Sequence, residues 1–531
     1  MSLDLLTFEK AARKHNFVAW VACRHHKTHK DSYLDFNKHK YQLKIYHDQS
    51  PYLVIIKSTQ NGISEYLLVR AISHAINGLN VFYVLPTFEL VKRFVDERYT
   101  KSVQNTPYYH ALATLVKLEL NKKQTESVKS KDIGDGNIAF VNSFSSVGFT
   151  EYPADEVIID ELDKCDQTNI EMAWERLSAS EYRRQVKISN PTFKNMGIDE
   201  EYEDTDKLEW FVRCQKGHPV RLNWFENFVD QIDDNRYVIR DSEWTWDSSK
   251  DIRPICQVCG TPIDRNGPGE WVPTVESRKR GYRLTKLFTG TVSVVELLDR
   301  FTKGLKNDDT MQRFYNGDLG EAYTASGSRI DRDMIAACVL DYGFGKEEGL
   351  IIAGIDVGKV YNFVIKKMLP DGKLKTLLVS EVRETGELMS ILREYNVSAG
   401  VIDGMPETRE AKKISKAFKM MFLCYFGDVK SDRIDIMGKT ITVQRTPAID
   451  AVKEALLTNA IQYPINIIRD GKCSNFIDQM TASVRVFNAD KRSGGQKGAY
   501  EWIEGNKPDH YLFATAYCLI ARRLVILLNK R

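Results

Sequence analysis

The chain has 531 residues, 43% apolar and 28% charged, which excludes a disordered or collagen-like polymer and leaves room for two to four domains. A net charge of only +3 excludes a uniformly basic nucleic-acid coat, so any such contact must be local. Nine cysteines, an odd set in a chain this long, argue against a disulfide framework and for reduced thiols, some of them on metal.

Met1–Lys14 is already charged, so no signal peptide is expected. Residues 10–47 gather Lys10, Arg13, Lys14, Arg24, Lys27, Lys30, Lys38, Lys40 and Lys44 with six of the ten histidines. Either a solvated amphipathic region or a contact with DNA or a partner fits that pattern. Tyr52–Lys57 is a short apolar run ending in a polar, Gly-containing loop, and Ser64–Asn77 carries apolar residues at helical spacing. Val81–Leu85, stopped by Pro86, predicts a second strand, Phe88–Val103 a charged helix, and Val157–Ile159 and Val186–Ser189 two more buried strands. This alternation predicts a parallel α/β sheet with helices on both faces.

The loop between the first strand and helix is Lys57, Ser58, Thr59, Gln60, Asn61, Gly62, Ile63 and Ser64. A strand-to-helix turn directs backbone amides and a helix N-terminus at an anion. The usual phosphate loop ends in Gly-Lys-Ser/Thr, but here Ile63 holds the lysine position. Lys57, on the strand side, is the cation able to reach the β/γ-phosphates, and Ser64 is placed to hold Mg²⁺. Taken alone, this loop is equally a plain turn. About 100 residues on, Val157–Ile159 ends in Asp160 and Glu161; in a phosphate-loop ATPase the first such acid holds Mg²⁺ and the second orients the attacking water. Ser189-Asn190-Pro191-Thr192 ends the next strand, where polar groups can sense the γ-phosphate.

From about Glu200 to Trp271 the chain turns acidic, Trp-rich and turn-rich, and is expected to form an insertion or small subdomain. Cys214, His218, Cys256 and Cys259 supply four ligands of structural-zinc type, with the Cys256-x-x-Cys259-Gly260 knuckle the stronger half. Gly281–Phe301 returns to strand and helix, and the Gly- and Asp-rich 317–348 stretch is expected to hold a domain boundary.

A second α/β pattern starts at Leu350. Asp356 lies on one buried strand, Asp403 on another, and Asp509 opens a C-terminal helix. Three carboxylates converging at a sheet edge can hold two divalent ions for in-line phosphodiester hydrolysis. The basic, Gly-rich stretch Asn488–Ala499 predicts a hairpin or loop, near nucleic acid or simply exposed. Tyr511–Leu528, interrupted by Arg522 and Arg523, is expected to be a buried helix and not a membrane span.

This ordered set resembles the large terminase subunits of tailed bacteriophages over nearly the whole chain. Lys57–Glu65 looks like the deviant Walker A of the lambda-like branch, with the lysine at the start of the loop. Pro86-Thr87, Tyr152–Asp155 leading into Asp160-Glu161, and Ser189–Thr192 are similar to the following motifs. Phe314–Gly320 resembles the segment closing the ATPase domain, and Tyr41-Gln42 the adenine-side motif. Asp356, Asp403 and Asp509 fall where the family's nuclease has its metal-binding acids, although the long Asp403-to-Asp509 interval leaves Asp428, Asp450 and Asp478 as substitutes or helpers.

The resemblance implies a P-loop (RecA-like) α/β ATPase domain at 1–335 with a zinc-binding insertion at about 200–275, a linker at 336–349, and a ribonuclease H-like α/β nuclease domain at 350–531. It implies an ATP-driven motor that packages double-stranded DNA into a procapsid and cuts concatemers, with Mg²⁺ or Mn²⁺ at both sites and a structural Zn²⁺. It also implies a portal ring and a small terminase subunit as partners, a homo-oligomeric ring with an arginine finger (Arg93, Arg98, Arg183 or Arg184), and work in the host cytoplasm without a membrane. The alternatives are a helicase–nuclease of DNA repair, which needs a second motor domain, and an ATP-binding scaffold that lost catalysis with the loop lysine.

Overall fold

The computed structural model describes residues 17–37, 39–119, 130–145, 148–233, 236–324, 327–406, 408–429, 431–469, 474–493, 496–505 and 507–529. The charged N-terminus read as lacking a signal peptide lies outside these residues, as do the basic positions Lys10, Arg13, Lys14 and Lys38. The chain divides into two compact units, Met1–Ala325 and Ser326–Arg531.

The first unit contains strands β1 (Tyr52–Lys57), β2 (Asn80–Leu85), β3 (Ser130–Ile133), β4 (Gly136–Asn142), β5 (Glu156–Asp160), β6 (Arg184–Ser189), β7 (Leu208–Arg213), β8 (Pro219–Arg221), β9 (Val229–Asp233), β10 (Arg236–Ile239), β11 (Gly269–Pro273) and β12 (Arg280–Leu284). Its main sheet runs β11-β7-β12-β1-β6-β5-β2-β4-β3, with β8 added to β7. The stretch from β12 to β4 is entirely parallel. Such strands are covered on both faces and therefore read as unbroken apolar runs. In β1, Leu53 and Ile55 join one core and Val54 and Ile56 the other. The first core includes helix Ile63–Ile76; the second is closed by Ile170, Ala173, Ile198 and Tyr202.

The cysteine-bearing stretch is tied into this sheet. Its strands β7 and β11 extend the sheet beyond β12, and only β9 and β10 form a separate hairpin. The tie is aromatic: Trp271 stacks edge-on against Trp210 and Tyr282 and donates its indole N–H to the Tyr41 carbonyl at 2.7 Å. Part of the basic N-terminal region is also core. Helix Phe17–Arg24 buries Phe17, Val18, Ala19, Val21 and Ala22, and His26 is buried between Tyr109 and Glu65.

The second unit contains β13 (Val339–Leu340), β14 (Ile351–Val357), β15 (Tyr361–Met368), β16 (Leu374–Val382), β17 (Ala399–Asp403), β18 (Met421–Phe426), β19 (Arg433–Asp435), β20 (Thr440–Val443), β21 (Ile461–Pro464), β22 (Val484–Ser493) and β23 (Gln496–Ile503). Its sheet runs β13-β21-β16-β15-β14-β17-β18-β20-β19. Antiparallel β16-β15-β14 is followed by parallel β14-β17-β18-β20, so β14 is central. Strands β22 and β23 pair as a hairpin, as the Asn488–Ala499 stretch predicted, but its turn residues and the side chains of 487–499 are outside the described set.

Arg522 and Arg523 do not interrupt the C-terminal helix, which runs from His510 to Asn529. By length and composition His510–Leu528 could cross a membrane, but 72% of it is buried in the fold, as in a core helix of a globular domain. It crosses β14 at Gly354, where a Cβ would lie 2.0 Å from the Ala514 carbonyl oxygen and 2.5 Å from the Cys518 nitrogen. Absence of a side chain there is a packing requirement.

Candidate active sites

Parallel strands deliver their C-terminal ends to one edge of the first sheet, where ligands of open α/β sheets bind. Lys57 ends β1, Asp160 ends β5 and Ser189 ends β6. Lys57 Nζ is 2.8 Å from Glu161 Oε1 and 3.5 Å from Asp160 Oδ1. Burial pulls the Lys57 ammonium down, but the two carboxylates more than offset this and hold it above its ordinary value. Burial raises Glu161, yet Lys57 and Lys164 bring it down to about 2, so both partners stay charged.

Ser58, Thr59, Gln60, Asn61 and Gly62 make the turn, with Gln60 at φ 58° and Gly62 at φ 78° before the helix that begins at Ile63. Ile63 is buried in the core and does not face an anion, while Ser64 is half-buried. The loop is held from several sides. Ser58 N donates to the Leu284 carbonyl and Thr59 N to the Gly317 carbonyl, each at 2.8 Å. Gln42 Nε2 and the Tyr41 hydroxyl donate to the Asn61 carbonyl at 2.6 and 3.2 Å. Two buried atoms here, Ser58 Oγ and Asn61 Nδ2, have no hydrogen-bond partner among the described residues, and Asp160 Oδ1 has only the long ion pair to Lys57. Buried polar groups are normally satisfied, so these fit a site that takes a polar ligand.

The motif after β6 closes against this edge. Asn190 Nδ2 donates to the Lys57 carbonyl at 2.8 Å, and the Thr192 hydroxyl to Asp163 Oδ2 at 2.7 Å. Sequence reading missed a second buried lysine beside the loop: Lys286 Nζ donates to Thr59 Oγ1 at 2.7 Å and to Asp318 Oδ1 at 2.6 Å, where Arg300 also bonds. Of the four candidate arginines, Arg98 lies 3.7 Å from Glu65, at the start of the phosphate-loop helix. Arg183 and Arg184 stand at the opposite end of β6, bonded to carbonyls of Ser178, Ser180 and Gln49. Arg93 is exposed on helix Phe88–Phe94.

Cys214, His218, Cys256 and Cys259 place their ligand atoms within 4.8 Å of one another. Cys214 Sγ is 3.7 Å from Cys259 Sγ and 3.5 Å from His218 Nδ1. A tetrahedral zinc with Zn–S bonds of about 2.3 Å sets sulfurs about 3.8 Å apart, so the set has the required edge lengths. Both knuckles turn through a left-handed glycine, Gly217 at φ 85° and Gly260 at φ 69°.

In the second unit Asp356 is buried near the end of β14, Asp403 ends β17, and Asp509 is buried just before the core helix. Burial pushes Asp403 up to about 6, the Met405 amide bond opposes this, and the field of Asp356 adds to the rise. Asp509 is likewise raised by burial and by Asp356, against a 2.6 Å bond from the Ser483 hydroxyl and the nearby Arg445. Glu504, absent from the sequence reading, is raised by burial and by Asp509 and Asp356. Asp403 and Asp509 each feel the field of Asp356, a repulsion that a divalent cation would relieve. Of the reserve acids, Asp478 already binds Arg332 and Lys507, Asp450 binds Arg485 and Trp502, and Asp428 is exposed.

The family model of the phage terminase large subunit gpA ATPase domain matches residues 44–272, and that of the gpA endonuclease domain matches residues 279–365. Together they span more than half of the chain. The chain belongs to the phage terminase large subunits of the gpA family. The terminase is therefore an ATP hydrolase and an endonuclease that acts on DNA in phage packaging, using nucleotide and divalent metal. The crystal structure of the HK97 bacteriophage large terminase is similar at TM-score 0.51 and 10% identity, covering 95% of this chain and 99% of that one; this supports the two-unit fold. The large terminase of a thermophilic bacteriophage matches at TM-score 0.29 and 12% identity, covering 90% of this chain and 94% of that one. No curated protein matches. The helicase–nuclease alternative required a second motor domain, whereas the second family model that matches is an endonuclease domain.

Proposed function

We propose that this terminase hydrolyses ATP at the Lys57–Asp160–Glu161 edge and cuts DNA at the Asp356–Asp403–Asp509 cluster. The observation that carries the ATPase assignment is the buried Lys57 ammonium between Asp160 and Glu161, beside a loop with orphaned buried polar atoms. Lys57 neutralises the β/γ-phosphates in place of a lysine at position 63. Ser58, Thr59, Gln60, Asn61 and Gly62 would cradle the phosphates, and Asp160 with Ser64 would hold Mg²⁺. Glu161 orients the attacking water, a role that matters mostly in the transition state.

In the nuclease, Asp356, Asp403 and Asp509 would hold Mg²⁺ or Mn²⁺, which supplies the concentrated positive charge that attack on an anionic phosphodiester requires. Cys214, His218, Cys256 and Cys259 would hold one structural Zn²⁺. The motor is assigned to the first unit and the nuclease to the second; residues 327–349, expected as the end of the motor and a linker, pack with the second unit through Ile330, Ile335, Cys338 and β13. A portal ring, a small terminase subunit, a homo-oligomeric working ring and the host cytoplasm complete this reading, which rests on the family. A DNA-stimulated ATPase assay and a plasmid-cleavage assay, each in Mg²⁺ and in Mn²⁺, test it. Loss of hydrolysis in Glu161→Gln with retained ATP binding supports the motor assignment; normal hydrolysis refutes it.

A further inference from the structure

The Glu161 carboxylate is gripped at both oxygens. Lys57 Nζ takes Oε1 at 2.8 Å and Lys164 Nζ takes Oε2 at 2.8 Å. Glu161 has a left-handed backbone, φ 62° and ψ 48°, and the short 3₁₀ turn Leu162–Lys164 follows it. Lys164 N closes that turn on the Glu161 carbonyl at 2.9 Å. The turn is pinned from β6 and beyond: Asp163 N donates to Ser189 Oγ, and the Asp163 carboxylate accepts from Thr192 Oγ1 and Ile198 N. A left-handed backbone at a residue other than glycine is strained and persists only where surroundings over-determine it.

The two lysines are unequal. Lys57 is buried at the phosphate edge, while Lys164 is exposed on the turn itself. Once Lys57 turns to a nucleotide phosphate, it vacates Oε1, the oxygen then free to accept a hydrogen bond from water. Lys164 remains on Oε2. We infer that Lys164 is a positioning residue, holding Glu161 aimed after Lys57 has transferred to the nucleotide. The inference rests on the proposed role of Glu161.

Steady-state ATP hydrolysis by the full chain tests it, with Lys164→Ala, Lys164→Arg and Glu161→Gln measured in parallel and folding checked by thermal melting. Lys164→Ala is expected to lower kcat about tenfold or more, since small misplacements of a positioned group cost that much. KM for ATP should stay nearly unchanged, and Lys164→Arg should recover most of the rate. A normal kcat in Lys164→Ala, a rise in KM alone, or Lys164→Arg as slow as Lys164→Ala would overturn the inference. Those outcomes with an inactive Glu161→Gln leave the motor assignment standing; a fully active Glu161→Gln removes both.

Discussion

His510 Nδ1 lies 2.8 Å from Asp356 Oδ2, so the first residue of the core helix rests on the carboxylate delivered by the central strand of the second unit. Asp356 in turn lifts His510 above its ordinary value, chiefly through this hydrogen bond. Asp509 directly precedes His510, so strand and helix start are locked together at the acids assigned to cleavage.

Asp356→Asn, Asp403→Asn and Asp509→Asn should each reduce plasmid cleavage by at least about a hundredfold, the scale of losing one electrostatic element of a hydrolytic site. ATP hydrolysis should be largely retained, because the phosphate loop is in the other unit. Asp478→Asn and Asp428→Asn should cut normally. Asp450→Asn should instead lower the melting temperature, since its carboxylate accepts from Arg485 and Trp502. Paired cleavage and ATPase assays on each variant check the assignment.

Lys57→Ala should abolish ATP turnover. Ile63→Ala should keep most of the turnover but destabilise the fold by about 2–5 kcal/mol, the usual loss for a truncated buried isoleucine. Hydrolysis and chemical-denaturation curves on the same preparations separate the two effects.

Metal-replete protein should contain one tightly bound zinc per chain by elemental analysis. Stripping it with a strong chelator should expose the 214–271 stretch to protease before the rest of the motor sheet. Trp224, Phe228, Ile252 and Ile263 anchor that stretch in the motor core, but its two knuckles meet at the ligand set, so metal binding there adds folding energy.

Glu156 is fully buried between Arg70 and His74, with Arg70 Nε at 2.6 Å. Burial raises its carboxyl, but Arg70 and His74 outweigh this and bring it from 4.5 to about 2. A depressed folded value means that the stabilisation is fully present above pH 4.5 and is lost as pH falls toward 2. Glu156→Gln should cost about 3–5 kcal/mol near neutral pH, because a buried arginine loses its counter-ion. The gap between wild type and variant should close below pH 4.5 in denaturation experiments across pH.

What could be read from the chain were the features encoded by neighbours in sequence. The apolar run into Lys57, the Asp160-Glu161 pair after Val157–Ile159 and the Cys256-x-x-Cys259-Gly260 knuckle all carry their meaning within a few residues. The contacts that sequence reading missed span long distances along the chain. Lys286 reaches Thr59 across 227 positions and Gln42 reaches Asn61 across 19; no periodicity encodes either. Glu504 feels Asp509 and Asp356 only because the chain after β23 leads back to the core helix. The cysteine-rich stretch read as an insertion because it is polar, yet Trp210 and Trp271, two residues among many aromatic ones, bind it into the main sheet.

Gly354 sets a spacing that the acids assigned to cleavage do not themselves reveal. Two positions before Asp356, the strand is thinned to bare backbone, and the C-terminal helix settles onto it there. The gap between the acid on the strand and the acid at the helix start is thus gauged by a single hydrogen atom. An alanine at this position would alter no charge and remove no ligand, yet it would act as a wedge under the helix and draw Asp509 and His510 away from Asp356. DNA cutting could therefore be lost by a methyl group placed where nothing reacts.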